Sequence, residues 1–314
     1  MRIAILGAGS LGSVVGGALA AVGNDVVLVA RNREHVDAVN RNGLLLRETD
    51  GTRTVRVAAA LPEAAGAPAD LVVVLTKSSA TGDALAGAAG LIGAHTVVMS
   101  LQNGLGHEDI IARAVGKARV VAGKTYLGGL LTGPGEVVAG IRGKETIIGE
   151  LDGTKSPRIA RIAAAFNEAG LATDISENIL GAMWDKLFIN VATGAVSAIT
   201  RLPYGDLYAV PEVEATAMAA VSEAMAVARA KGIGISSTDP RAAWLKAAHG
   251  LPHEFKASML QSLERGERTE IDFINGSVVR AGAEAGVPTP VNSTLVACVK
   301  GIERALDLAV KAAR

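Results

Sequence analysis

Residues 2–31 read RIAILGAGSLGSVVGGALAAVGNDVVLVAR, and few folds accommodate that order. Residues 3–6 are a short apolar run, suited to a strand buried on both faces of a parallel sheet. The run passes directly into Gly7-Ala8-Gly9-Ser10-Leu11-Gly12, the spacing G-x-G-x-x-G. Gly7 admits a sharp turn, Gly9 lets a pyrophosphate approach the backbone, and Gly12 lets the next helix pack close to the strand. The N–H groups of Ser10, Leu11 and Gly12 open that helix toward the phosphates, aided by the helix dipole. Alone, the glycine spacing is a weak signal. Set between an apolar strand, an amphipathic helix and a second strand at 25–30, it reads as a dinucleotide site rather than a glycine-rich turn.

The end of the second strand selects the dinucleotide. NAD sites place a carboxylate there for the ribose 2′-hydroxyl. This chain places Arg31 there, with Arg33 close by. A carboxylate repels a 2′-phosphate, whereas a guanidinium matches it in a bidentate fork, so the expectation is NADP(H). A plainer role, capping and solvating the start of the next helix, is open to both arginines.

The 314 residues suffice for two domains. Lys plus Arg and Asp plus Glu number 31 each, so no basic excess points to nucleic acid or to an anionic membrane surface. The single cysteine, Cys298, excludes an intramolecular disulfide and fits a reducing compartment. No uninterrupted apolar run is long enough to span a bilayer, and Met1 leads straight into the first strand. A cytoplasmic location is expected.

Further along, a helix at 32–42 closes at Gly43, and strands at 44–47 and 54–58 flank an Asp50-Gly51 turn. Strands follow at 71–75 and 96–101, with a helix at 81–91 between them. Strands at 120–125, 136–139 and 146–149 are expected to complete the sheet, and 157–169 reads as a helix. Alternation of this kind predicts an α/β fold, a Rossmann-type doubly wound sheet with an antiparallel extension. After residue 173 strand signals fade. Helices are expected at 177–199, 213–231, 240–248, 252–263, 270–286 and 292–313. Residues 1–175 therefore read as an NADP-binding domain and 176–314 as an all-α substrate and catalytic domain. A ligand cleft is expected at the C-terminal ends of the strands. Helical second domains can form homodimers, but no stripe here specifies one.

Lys77 and Asn103 each directly follow an apolar strand, which puts them over the cofactor crevice. A solvated loop lysine and a turn asparagine account for them equally well. In ILGAMWDKLFINV, Lys186 and Asn190 lie four apart on one helical face among apolar neighbours. Lys186 either carries its head to water along an apolar stem or lines a cleft. Ser258 and Glu270 form a third group. Thr269 can cap a helix opening at Glu270, with the acidic residues facing its dipole. His249 and His253 are four apart, yet Gly250 and Pro252 break the helix between them and no acidic or cysteine cluster joins them, so no metal site is expected. Gly-x-Ser-x-Gly is absent, which leaves triad hydrolysis without support.

Taken together, ILGAGSLG, Arg31, LTK with Lys77, LQNGLG with Asn103, MWDKLFIN with Lys186 and Asn190, SMLQSL with Ser258 and TEIDFINGSVV with Glu270 resemble the ketopantoate reductase (2-dehydropantoate 2-reductase) family over nearly the whole chain. The resemblance implies an oxidoreductase of pantothenate biosynthesis that transfers hydride from NADPH to the C2 ketone of a 2-oxo acid. Lys186 would be the proton donor, and Glu270 would hold it and contact the nicotinamide ribose or substrate. Asn103, Asn190 and Ser258 would fix the substrate, while Lys77 would reach the cofactor side. The chain departs from the family pattern at Gly194 and Ala195, where an asparagine and a proline are common, and at Ser262, where aspartate is expected. Gly194 offers no side-chain donor and is expected to leave space, so a different 2-oxo acid is the alternative substrate. An NADPH-binding sensor without a reaction is the rival of another class.

Overall fold

Gly7 takes the backbone at φ +105°, and a Cβ there would lie 2.4 Å from Thr76 N. This turn ends the first strand of a computed structural model that describes residues 1–312. The chain divides into two units, Met1–Gln102 with His107–Ile179, and Asn103–Gly106 with the residues from Leu180 onward.

In the first unit the strands are β1 (Arg2–Leu6), β2 (Asp25–Val29), β3 (Leu44–Glu48), β4 (Gly51–Val55), β5 (Ala58–Ala60), β6 (Leu71–Val74), β7 (Val97–Ser100), β8 (Val120–Thr125), β9 (Gly128–Gly133), β10 (Glu136–Gly140), β11 (Thr146–Glu150) and β12 (Thr173–Ile175). Its helices are α1 (Ser10–Ala21), α2 (Arg33–Asn42), α3 (Thr81–Gly87), α4 (His107–Val115) and α5 (Pro157–Glu168). Eight strands form one sheet in the order β12-β11-β8-β7-β6-β1-β2-β5. From β5 to β8 all pairs are parallel, and β11 joins antiparallel to β8. Side chains alternate across it: Ile3 and Ile5 pack with α1 and α5, whereas Ala4 and Leu6 pack on the opposite face with Leu85 and Ile111.

The sequence expectation of a single sheet is corrected. The strand at Glu136–Gly140 lies in a second sheet, β4-β3-β10-β9, where it runs parallel to β3 and antiparallel to β9. Residues 54–58, expected as one strand, are split between β4 of the small sheet and β5 of the large one. Packing accounts for the small sheet. Leu44, Leu46 and Val137 are fully buried in the same core as α1, so the small sheet packs against that helix.

His35, on α2, is buried with 3% exposure and joins these layers. Gly135 N–H donates to its Nδ1 at 3.1 Å, and its Nε2 lies 3.3 Å from Ser13 Oγ. Burial lowers its pKa below the ordinary 6.5. The unfolded chain therefore binds a proton that the folded chain refuses, between the ordinary value and the lowered one. Stability rises with pH in that window and is lost as pH falls below about 6.5. Thermal unfolding from pH 7.5 to 5 should show this loss in the wild type and a flatter profile in His35→Asn.

The second unit contains α6 (Ile179–Thr200), α7 (Tyr204–Leu207), α8 (Pro211–Ala230), α9 (Pro240–Ala248), α10 (Ser258–Glu264), α11 (Asn275–Ala285) and α12 (Pro290–Ala312), with Ile179 itself counted to the first unit. By length and composition α6 could cross a membrane, but 67% of its apolar window is buried inside protein. It is a core helix: Leu187, Phe188 and Val191 pack with Val221, Met225, Trp244 and Met259.

Two helices start later than the sequence pattern suggests. Residues 252–257 stay irregular because their carbonyls serve another element: His253 O and Phe255 O accept from Gly205 N and Tyr204 N at the start of α7. Helix α11 begins at Asn275 rather than at Glu270. The Phe273 carbonyl accepts from Leu105 N at 2.9 Å, and Thr269 donates to Glu303 from both its N–H and its hydroxyl, so 270–274 forms turns.

Candidate active site

In the first unit the site grows from the end of β1. Gly7 and Gly12 are required by packing, since a Cβ on Gly12 would lie 2.2 Å from Gly7 O. Gly9 differs: a Cβ there would meet nothing within 4 Å, and its φ of −80° suits any residue. The fold does not demand a glycine at this position, so the open space over it is where a ligand can approach. Ser13 N–H to Gly9 O is the first helical bond of α1, which leaves the N–H groups of Ser10, Leu11 and Gly12 outside the helix ladder. Open space beside orphan donors at a helix N-terminus fits a dinucleotide pyrophosphate. The small sheet braces this end, where Leu131 N–H donates to Ser10 Oγ at 3.2 Å and Gly129 abuts Ser10 O.

Arg31 follows β2 and is exposed. Among the described residues neither Arg31 nor Arg33 holds an ion pair, and it is Asn32 that caps α2, by accepting from His35 N. Lys77 is exposed just beyond β6. Its loop is anchored by Gln102, whose role sequence reasoning missed. Gln102 is 7% exposed and donates through Nε2 to Thr76 O at 2.8 Å and Thr81 Oγ1 at 2.9 Å.

In the second unit three of the expected residues converge. Lys186 Nζ donates to Asn103 Oδ1 at 2.8 Å, and Asn103 Nδ2 donates to Glu270 Oε2 at 3.3 Å. Asn103 is thus a bridge whose amide orientation is fixed by the ammonium on one side and the carboxylate on the other. All three side chains are half-buried. Gly104, at φ +92°, holds this bridge in place. A Cβ there would lie 2.2 Å from Phe273 O, and Leu105 N–H binds the same carbonyl. Asp185, beside Lys186, is occupied elsewhere, accepting from Ser236 N, Ser236 Oγ and Ser237 N.

Two other expected residues join by no hydrogen bond: Asn190, half-buried one turn along α6 from Lys186, and Ser258, exposed as the first residue of α10, bond to none of Lys186, Asn103 and Glu270 among the described residues. The space expected at Gly194 is filled. The Met259 thioether covers it, with Cε 3.1 Å from where a Cβ would sit. His253 packs on Gly205 and faces Asp206 at 3.7 Å, and no group of three metal-binding side chains occurs among the described residues. A cavity of about 410 Å³ opens beside Asp70, Thr96, Arg119 and Arg161. It lies at the N-terminal ends of the strands, the wrong edge for ligands of an open parallel sheet.

The profile of the family described as "Ketopantoate reductase PanE/ApbA" matches residues 3–153, and that of its C-terminal part matches residues 178–303. Over 305 residues the chain is 37% identical to the 2-dehydropantoate 2-reductase of Halobacterium salinarum, covering 97% of this chain and 99% of that one. The crystal structure of a PanE/ApbA family ketopantoate reductase from Ralstonia eutropha JMP134 superposes with a TM-score of 0.89 at 37% identity, covering 98% of this chain and 100% of that one. A D-mandelate dehydrogenase, solved with NADH and anilino(oxo)acetate, also has a TM-score of 0.89, at 27% identity with 98% and 100% coverage.

Proposed function

We propose that this chain, which belongs to the ketopantoate reductase family, reduces the C2 ketone of 2-dehydropantoate to (R)-pantoate, a step of pantothenate biosynthesis, with NADPH as the hydride source. The observation that carries the reading is the Lys186–Asn103–Glu270 cluster, a proton-bearing ammonium held by a carboxylate through one amide. The bound dinucleotide supplies the hydride. Gly9 and the N–H groups of Ser10–Gly12 hold its pyrophosphate, Arg31 pairs with its 2′-phosphate, and Lys77 reaches it from the loop after β6.

Lys186 attracts the negative charge that develops on the ketone oxygen and passes a proton from Nζ to that oxygen, leaving a neutral amine that solvent recharges. Glu270 acts through Asn103: its carboxylate polarises the amide, which strengthens Oδ1 as an acceptor for the ammonium. Glu270 also serves the nicotinamide ribose, and Asn103, Asn190 and Ser258 orient the substrate carboxylate and hydroxyl.

One observation favours a second reading, reduction of another 2-oxo acid. Gly194 continues the face of Lys186 and Asn190 but is roofed by Met259, an apolar surface where a polar contact would suit a hydroxylated side chain. Steady-state kinetics with NADPH and NADH across a panel of 2-oxo acids tests both readings. The highest kcat/KM is expected for 2-dehydropantoate with NADPH, and a clear advantage for an aromatic 2-oxo acid would transfer the assignment to the second. Arg31→Ala should weaken NADPH roughly 10- to 100-fold and NADH little, since a charge-assisted hydrogen bond is worth about 1.5–3 kcal/mol. Equal weakening of both would reject the 2′-phosphate contact.

A further inference from the structure

His35 has no part in the chemistry above, yet it is a buried polar residue set between the small sheet and the glycine turn. Because Gly135 N–H needs an acceptor, His35 Nδ1 carries no proton. The proton of the neutral ring is then on Nε2 and points at Ser13 Oγ, whose own hydrogen goes to Ala8 O at 3.3 Å. Ala8 O belongs to the peptide that joins Ala8 to Gly9, and the N–H of that same peptide donates to Gly7 O at 2.8 Å. Both sides of the peptide plane are therefore fixed, one locally and the other through a relay that begins in the turn between β9 and β10. Gly135 is itself anchored, since its carbonyl accepts from Leu45 N at 2.8 Å. The relay runs from the small sheet through two buried side chains to the residue over which the ligand space opens.

We infer that His35, acting through Ser13, is a positioning residue for the dinucleotide: it sets the tilt of the Ala8–Gly9 peptide and hence the affinity for the cofactor pyrophosphate. The inference rests on the dinucleotide reading of the glycine turn. It makes the small sheet part of the cofactor-binding apparatus.

The test is titration calorimetry of the substrate-free protein with NADPH, together with the apo Tm, for Ser13→Ala, His35→Leu, the double variant and His35→Asn. Ser13→Ala and His35→Leu are each expected to raise Kd about five- to tenfold, in keeping with one lost buried hydrogen bond. The double variant should be no weaker than the weaker-binding single, because both lie on one relay. His35→Asn keeps an acceptor near the Nδ1 position for Gly135 and guards against misfolding of the leucine variant; an intermediate Kd is expected. In turnover, the cofactor KM should rise while kcat stays within about twofold, a split that general destabilisation does not produce. Kd values within twofold of wild type in Ser13→Ala and His35→Asn, or additive effects in the double variant, would overturn the inference. A wild-type chain that binds neither NADPH nor NADH would instead remove the reading beneath it, and the inference with it.

Discussion

Lys186→Ala should lower kcat by roughly 10²- to 10⁴-fold, the range spanned by loss of a general acid, while the dissociation constant for NADPH stays within about twofold. The side chain ends 2.8 Å from Asn103 Oδ1, and the groups assigned to the dinucleotide are other residues. On the proposed mechanism its removal takes away charge stabilisation and a proton at the ketone oxygen, and it leaves the residues of the glycine turn unchanged. kcat and kcat/KM should fall together, as they do when an interaction made only in the transition state is lost. Lys186→Arg is expected to recover little: the guanidinium keeps the charge but does not give up a proton near neutral pH. Asn103→Ala should show the intermediate loss of a positioning group, because it separates the ammonium from Glu270 and leaves both chemically intact. Normal turnover in Lys186→Ala would reject the proton-donor role and leave a dinucleotide-binding protein with no reaction assigned.

The second large effect separates two glycines three residues apart. Gly12→Ala drives a methyl group to 2.2 Å from Gly7 O, backbone against backbone, where no side chain can yield. Overpacking of this kind costs about 3 kcal/mol, a Tm loss of roughly 6–12 °C for a unit of this size. Gly9→Ala should leave Tm unchanged within about 1 °C, since the added methyl meets nothing. On the proposed dinucleotide reading it should instead weaken NADPH by about tenfold or more, because the methyl would stand where the phosphate approaches. Differential scanning calorimetry and cofactor titration of the pair distinguish a packing glycine from a ligand glycine. Equal Tm losses, or full affinity in Gly9→Ala, would contradict the division.

What was legible in the sequence follows from how local each signal is. The strand–turn–helix around Gly7–Gly12 and the place of Arg31 rest on contiguous residues, and the structure has them in the expected order. The small sheet was not legible as a separate sheet, because its central pairing sets Glu136 beside Leu45 and nothing near either residue announces the other. The pattern after Thr269 imitates a helix start. Only the distant Leu105 N–H and Glu303, which claim the Phe273 carbonyl and Thr269, show why the helix waits until Asn275. Asn103 reads equally as turn chemistry and as a site residue in the sequence, because its partners Lys186 and Glu270 lie far along the chain. The roles of Gln102 and His35 were not legible, since a buried polar side chain breaks periodicity without saying what it binds.

The four residues Asn103–Gly106 belong with the helices although the chain reaches them between strands of the first unit. Any attempt to divide the protein at one cut therefore fails chemically before it fails sterically. A fragment beginning at Leu180 keeps Lys186 and Glu270 but has lost the amide that joins them and the Leu105 N–H that satisfies Phe273 O. Chimeras that exchange helical halves between relatives should accordingly transplant this tetrapeptide along with the C-terminal segment, as a two-piece graft.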